Sequence, residues 1–189
     1  MKVIISGTDR AHSKSLELAK YIQSLYKEFG EETTIIDLAQ LDLSSLMNCH
    51  YNKQAERPDD VVKAIEMINE SEGLIVVCPE YNGSMPGALK LFIDYWSYPQ
   101  SFEFRPVCFV GLGGRWGGLR PVEHLQGVFG YRNSYVFPQR VFVSNVWDLL
   151  KDGKISDSFV VELLQDQAKN FTKFIKALRS QNLDALSVN

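Results

Sequence analysis

The chain lacks the glycine signatures that mark most nucleotide-binding folds. No Gly-Lys-Ser/Thr closes the loop after the first strand-like run, and no G-x-G-x-x-G follows it. The usual mononucleotide and dinucleotide fingerprints are therefore excluded. Asp37, near the end of the second strand-like run, offers only a weak imitation of a ribose-binding acid without those glycines. No apolar run approaches the roughly 20 residues of a membrane-spanning helix, and the N-terminus enters Lys2–Ser6, a short strand pattern rather than a signal peptide. The 3 cysteines are odd in number and widely spaced. Cys78 and Cys108 sit in apolar runs, so buried thiols in a reducing compartment are expected, with the cytoplasm as the location. Cys78 has Ser84, not Arg, six positions on, and Cys108 reaches Arg115 only after six intervening residues. A thiolate nucleophile of the phosphatase kind is not expected, because reactive cysteines need an exposed, electropositive site. His12, His50 and His124 lack metal-ligand spacing, so no metal is expected. No Ser-His-Asp set can be named. Positive charge is not in excess: the formal net charge is −3 and no basic stripe is visible, which argues against nucleic acid as a partner.

What remains is a globular composition, with 45% hydrophobic and 23% charged residues over 189 positions, enough for one domain spanning 1–189. Short apolar runs alternate with helical patterns throughout. Strands are predicted at Val3–Ser6, Thr33–Leu38, Leu74–Cys78 and Val107–Leu112, and within Tyr135–Val143 around Pro138. Helices are predicted at Ser13–Phe29, Asp59–Asn69, Pro86–Tyr95, Leu119–Phe129 and Ser156–Leu178. In the first, Leu16, Ala19, Ile22, Leu25, Tyr26 and Phe29 form the expected buried face; in the last, Phe159, Leu163, Phe171 and Ile175 are among the apolar positions. Five strands alternating with helices imply a parallel sheet covered on both faces. Length and count favour an α/β, flavodoxin-like three-layer sandwich with strand order 2-1-3-4-5. In that order the loops after strands one, three and four meet at one edge.

Those three loops also have unusual composition. The first, Gly7–Ser15, sets the Thr8, Ser13 and Ser15 hydroxyls and the Arg10 guanidinium around a helix N-terminus, a place that favours phosphate. Ser13 reads equally well as an ordinary helix cap, and Arg10 as a solvated cation. Asp9 would repel an anion unless it points away. The second, Pro79–Lys90, is stiffened by Pro79 and Pro86, and Gly83 permits positive φ. Its N–H groups with Asn82 and Ser84 suit the polar edge of a heterocycle, and Tyr81 suits its face; the plainer reading is a rigid turn with Tyr81 packed on a neighbour. The third, Gly111–Gly118, has five glycines in eight residues and carries Trp116, which argues against a merely flexible tether.

At these loops the chain resembles the flavodoxin-like NAD(P)H-dependent FMN reductase family, which includes quinone, azo-dye and chromate reductases. The matching residues are Gly7-Thr8-x-Arg10-x-x-Ser13-x-Ser15, then Pro79-Glu80-Tyr81-Asn82-Gly83-Ser84-x-Pro86-Gly87-x-Leu89-Lys90 with Asp94, then Gly113-Gly114-x-x-Gly117-Gly118 with Leu119-Arg120. The resemblance implies FMN as cofactor and NAD(P)H as co-substrate, with hydride passing through the flavin to a quinone-like or other small acceptor. It implies that Thr8, Arg10, Ser13 and Ser15 bind the phosphate. Pro79, Glu80, Tyr81, Asn82 and Ser84 would border the ring, with Gly113, Gly114 and Gly117 beside it. No catalytic acid or base is implied, and N–H groups of the second and third loops would stabilise the reduced ring's charge. Trp116 is large for this loop and would narrow or cap the substrate face. A homodimer or homotetramer is also implied, and Tyr95, Trp96, Tyr98 and Phe102 offer either a dimer face or core. The competing readings are a flavodoxin-type electron carrier and a non-enzymatic FMN-binding module.

Overall fold

Val3, Ile4 and Ile5 are fully buried, and they alternate between two separate cores as the two-residue period of a strand requires. The computed structural model that shows this describes residues 1–49 and 56–188; His50 lies outside them. The elements are β1 (Lys2–Ser6), α1 (Lys14–Glu28), β2 (Thr33–Asp37), α2 (Asp59–Glu70), β3 (Leu74–Pro79), α3 (Gly87–Asp94), β4 (Pro106–Leu112) and α4 (Leu119–Tyr131). They continue with β5 (Tyr135–Val136), β6 (Val141–Val143), α5 (Val146–Leu149), the hairpin β7 (Leu150–Lys151) and β8 (Lys154–Ile155), α6 (Ser158–Ser180) and α7 (Ala185–Val188). The main sheet is parallel with order β2-β1-β3-β4-β5, the expected flavodoxin-like order. Helices α1 and α6 pack on one face; α2, α3 and α4 pack on the other.

The fifth strand position is split. β5 pairs with Pro106 and Val107, and β6 with Val110–Leu112, so Pro138 falls in the gap. Proline has no N–H to give the ladder. The Gln167 side-chain amide of α6 fills the break by donating to Phe109 O at 3.0 Å and Gln139 O at 2.9 Å. A buried glutamine is thus explained by two carbonyls that the break leaves over.

Two predicted helix faces are shifted. In α1 the buried residues are Ser15, Leu18, Ala19, Ile22, Leu25 and Tyr26, while Leu16 and Phe29 are only half-buried. In α6 Val160, Leu164, Gln167, Ala168, Phe171, Thr172 and Ile175 are buried, whereas Phe159 is exposed and Leu163 half-buried. Of the aromatic group after α3, Tyr95, Trp96 and Phe102 belong to the core; Tyr98 stands in solvent.

At the sheet edge remote from the loops just described, Glu31 accepts from buried Lys2 at 2.7 Å and from exposed Lys176 at 2.6 Å. The Lys176 bond, then the Lys2 bond, hold its carboxyl below the ordinary 4.5. A depressed carboxylate stabilises the fold above its unfolded pKa, and that stability fades as pH falls through the folded value. Glu31→Gln is expected to cost about 1 kcal/mol at pH 7, where one partner is solvated. Urea midpoints of the two proteins should converge as pH drops below 4.5. A constant gap across that range would remove Glu31 from the acid sensitivity.

Candidate active site

Strands β1, β3 and β4 end side by side at Ser6, Pro79 and Leu112, and their following loops close around one cleft of about 250 Å³. Its first wall is the start of α1. Ser13 caps that helix by accepting from Leu16 N at 3.1 Å. The N–H groups of Lys14 and Ser15, in the first turn, have no intrahelical acceptor. Arg10, Ser13 and Ser15 line this wall, and Arg10 has no carboxylate partner among the described residues. Asp9, the residue that would oppose an anion, is exposed and does not line the cleft. The wall therefore suits a phosphate ester.

The second wall is Pro79, Glu80 and Tyr81. Beyond them the chain reverses in a two-residue turn: Tyr81 N donates to Ser84 O at 2.9 Å and Ser84 N to Tyr81 O at 3.0 Å. Asn82 (φ 51°) and Gly83 (φ 76°) occupy its centre, the Asn-Gly pairing that turns with two positive φ values demand. Glu80 is fixed by Arg120 at 3.1 Å. Ser84 is hydrogen-bonded to His124 Nδ1 at 2.9 Å. Thr8 is fully buried and does not line the cleft; its hydroxyl meets the Tyr81 hydroxyl at 2.8 Å and ties the first loop to the second.

The third wall is Leu112 and Gly113. A methyl group at Gly113 would meet only ordinary contacts, Gly118 N at 3.5 Å and the Glu80 Cβ at 3.7 Å, so this wall stands directly against the second loop. Gly114 lies beside Trp147, and Gly117 is buried against Ser144. Of the twelve residues the sequence points to, the structure places seven on the cleft: Arg10, Ser13, Ser15, Pro79, Glu80, Tyr81 and Gly113. Thr8, Asn82, Ser84, Gly114 and Gly117 stand behind or beside it. Val146 and Trp147 complete the cleft and were not foreseen. They reach it because Asn145 N donates to Gly114 O at 2.7 Å and Val146 N to Gly113 O at 3.1 Å. Trp147 is 59% exposed, and an indole so placed is the one signal that could have marked this turn.

No thiol serves the cleft. Burial pushes the Cys78 and Cys108 thiols up. The site thus offers a helix N-terminus with Arg10 beside it, a stiff aromatic and polar wall, and a wall that ends in Gly113, without a thiol. The profile of the family described as NADPH-dependent FMN reductase matches residues 1–148. The chain belongs to that family. Family membership makes it a flavin-dependent oxidoreductase with FMN as cofactor and NAD(P)H as reductant. It is 25% identical over 179 residues to an NADPH azoreductase of Bacillus sp. (strain OY1-2), covering 94% of this chain and 93% of that one. It is 30% identical over 128 residues to a quinone reductase of Escherichia coli K12, covering 65% of this chain and 68% of that one. In fold it is similar to FerB, a flavoenzyme NAD(P)H:(acceptor) oxidoreductase from Paracoccus denitrificans. There the TM-score is 0.74 at 24% identity, with 93% of this chain and 96% of that one covered.

Proposed function

We propose that this FMN reductase holds its flavin across the cleft, phosphate at the α1 wall and ring toward the second and third loops, and reduces a quinone, an azo compound or a similar small acceptor. The observation that carries the reading is the single cleft joining the first turn of α1 to Pro79–Tyr81 and Gly113. FMN, when bound, supplies hydride acceptance and donation. The chain's own residues bind and orient. Arg10, Ser13 and Ser15 with the first-turn N–H groups neutralise and hold the phosphate. The Thr8–Tyr81 bond fixes the phosphate loop against the ring loop. Asn82 and Ser84 shape the ring loop through its turn, and Gly114 and Gly117 shape the opposite wall. Several N–H groups expected to face the ring are already used: Glu80 donates to Leu112 O, Tyr81 to Ser84 O and Gly113 to Val143 O. The Gly114 N–H, which has no main-chain acceptor among the described residues, is a donor left for charge gained on reduction.

The chain works as one domain, 1–189, in the cytoplasm; its three free buried cysteines fit a reducing compartment. Among the described residues no helix is long and apolar enough to cross a membrane. It assembles with further copies of itself, as a homodimer or homotetramer, and the exposed Tyr98 and Tyr131 beside α3 and α4 supply the contact face. Light scattering that gives a monomer mass would remove that part.

The test of the flavin reading is a titration of apoprotein with FMN. Arg10→Ala is expected to weaken binding by about 1.5–3 kcal/mol, the worth of a charged hydrogen bond. Unchanged affinity takes Arg10 out of the site, and no uptake by the unmodified protein ends the reading. Rapid NADPH oxidation with a quinone and no partner protein distinguishes the enzyme from an electron carrier.

A further inference from the structure

The phosphate wall accounts for one unpaired guanidinium, that of Arg10. A second stands in the loop that continues from Gly113. Arg115 is exposed and has no carboxylate partner among the described residues, whereas its neighbour Arg120 is held by Glu80 at 3.1 Å. The Arg115 guanidinium lies 4.9 Å from the centre of the Trp116 ring, and that ring is 50% exposed. The pair sits two and three residues past Gly113, a lining residue, so Arg115 Cα lies within about 7 Å of it. Its loop is fastened at both ends: Gly113 N donates to Val143 O at 3.1 Å, Asn145 N to Gly114 O at 2.7 Å and Leu119 N to Trp116 O at 3.1 Å. An exposed cation–indole pair on an anchored loop is ordered before any ligand arrives, which lowers the cost of binding.

FMN brings one phosphate to this cleft. The second substrate, a dinucleotide, brings a purine and further phosphates, and NADPH differs from NADH only by a phosphate on the adenosine 2′-oxygen. We infer that Arg115 and Trp116 form the subsite for the adenosine 2′-phosphate end of NADPH, and so set a preference for NADPH over NADH. The purine lies on the open indole face, and the guanidinium fork bonds the phosphate oxygens in two-point fashion. The large aromatic in a loop with five glycines in eight residues is then a stacking platform. This inference rests on the flavin reading above.

Two measurements test it. In the FMN-loaded enzyme with a quinone acceptor, Arg115→Ala is expected to lower the ratio of kcat/KM for NADPH to that for NADH by about 10- to 100-fold. Arg115→Lys should recover part of that ratio. Without turnover, adenosine 2′,5′-bisphosphate should quench tryptophan emission of the unmodified protein and bind at least tenfold more weakly to Arg115→Ala, while 5′-AMP should bind weakly to both. Trp116→Leu should abolish the quench. An unchanged NADPH/NADH ratio overturns the inference, as does an equal loss for both dinucleotides, which would assign Arg115 to the shared pyrophosphate. Failure of the unmodified protein to take up FMN is a separate result and condemns the parent reading instead.

Discussion

Gly118→Ala is expected to lower the unfolding free energy by about 3 kcal/mol and to weaken FMN binding together with it. Gly118 precedes α4 with φ 79°. A methyl group there would stand 2.6 Å from Leu112 N, 2.9 Å from Gly111 Cα and 3.0 Å from Gly111 C. All three are backbone atoms at the end of β4, a strand paired on both sides, so none can swing aside like a side-chain tip. The left-handed conformation adds strain for any residue with a Cβ. Relief requires the end of β4 to move, and that end carries Leu112 into Gly113, the third wall of the cleft. Gly127→Ala supplies the contrast. It lies inside α4, its added methyl group meets nothing within 4 Å, and it is expected to raise stability by about 0.5–1 kcal/mol. Urea unfolding followed by circular dichroism, with an FMN titration on each variant, reads both effects. Equal midpoints for the two variants would mean that β4 and its glycine loop yield freely.

The parallel core of this fold was legible because β1, β3 and β4 are buried on both faces and read as unbroken apolar runs. The turn after β3 was legible too, since Pro79, Asn82, Gly83 and Pro86 each restrict the backbone in a known way. Helix phase was harder. Phe159-Val160 and Leu163-Leu164 are apolar doublets in which either member satisfies a 3.6 period, and Gln167, whose burial decides between them, is polar and carries no hydropathy signal. The role of Thr8 was hidden for a different reason. Nothing in the local sequence says that its hydroxyl faces Tyr81, 73 residues on, rather than a ligand. Trp147 reaches the cleft only through main-chain bonds from its turn to Gly113 and Gly114, and main-chain bonds leave no mark on residue types.

At the opposite end of β4, Arg105→Ala is expected to destabilise by about 3–5 kcal/mol while leaving FMN affinity of the folded protein unaltered. Arg105 is 1% exposed. Its guanidinium donates to Asn69 O at 2.9 Å, to Gln100 O at 2.8 Å, and to Ser71 O. Helix α2 ends at Glu70, and the last carbonyls of a helix have no partner of their own. Arg105 supplies one, and through Gln100 it also ties down the segment between α3 and β4. Burial lowers its pKa to about 10, opposed by the charge of Asp184, so it remains cationic at neutral pH. Alanine would leave the Ser71 carbonyl buried and unpaired, the Asn69 and Gln100 carbonyls without their partner, and open the volume of the largest fully buried side chain among the described residues. Lysine would keep the charge but not the planar fork that serves three carbonyls at once, so Arg105→Lys should rescue only part of the loss. The seven residues of β4 set this cap roughly 20 Å from the cleft. Stability and cofactor binding should therefore separate: a lower urea midpoint with an unaltered FMN dissociation constant measured well below the transition. A midpoint equal to that of the unmodified protein would refute the capping role, and a loss of FMN affinity in the folded variant would show that the two ends of β4 do not act independently.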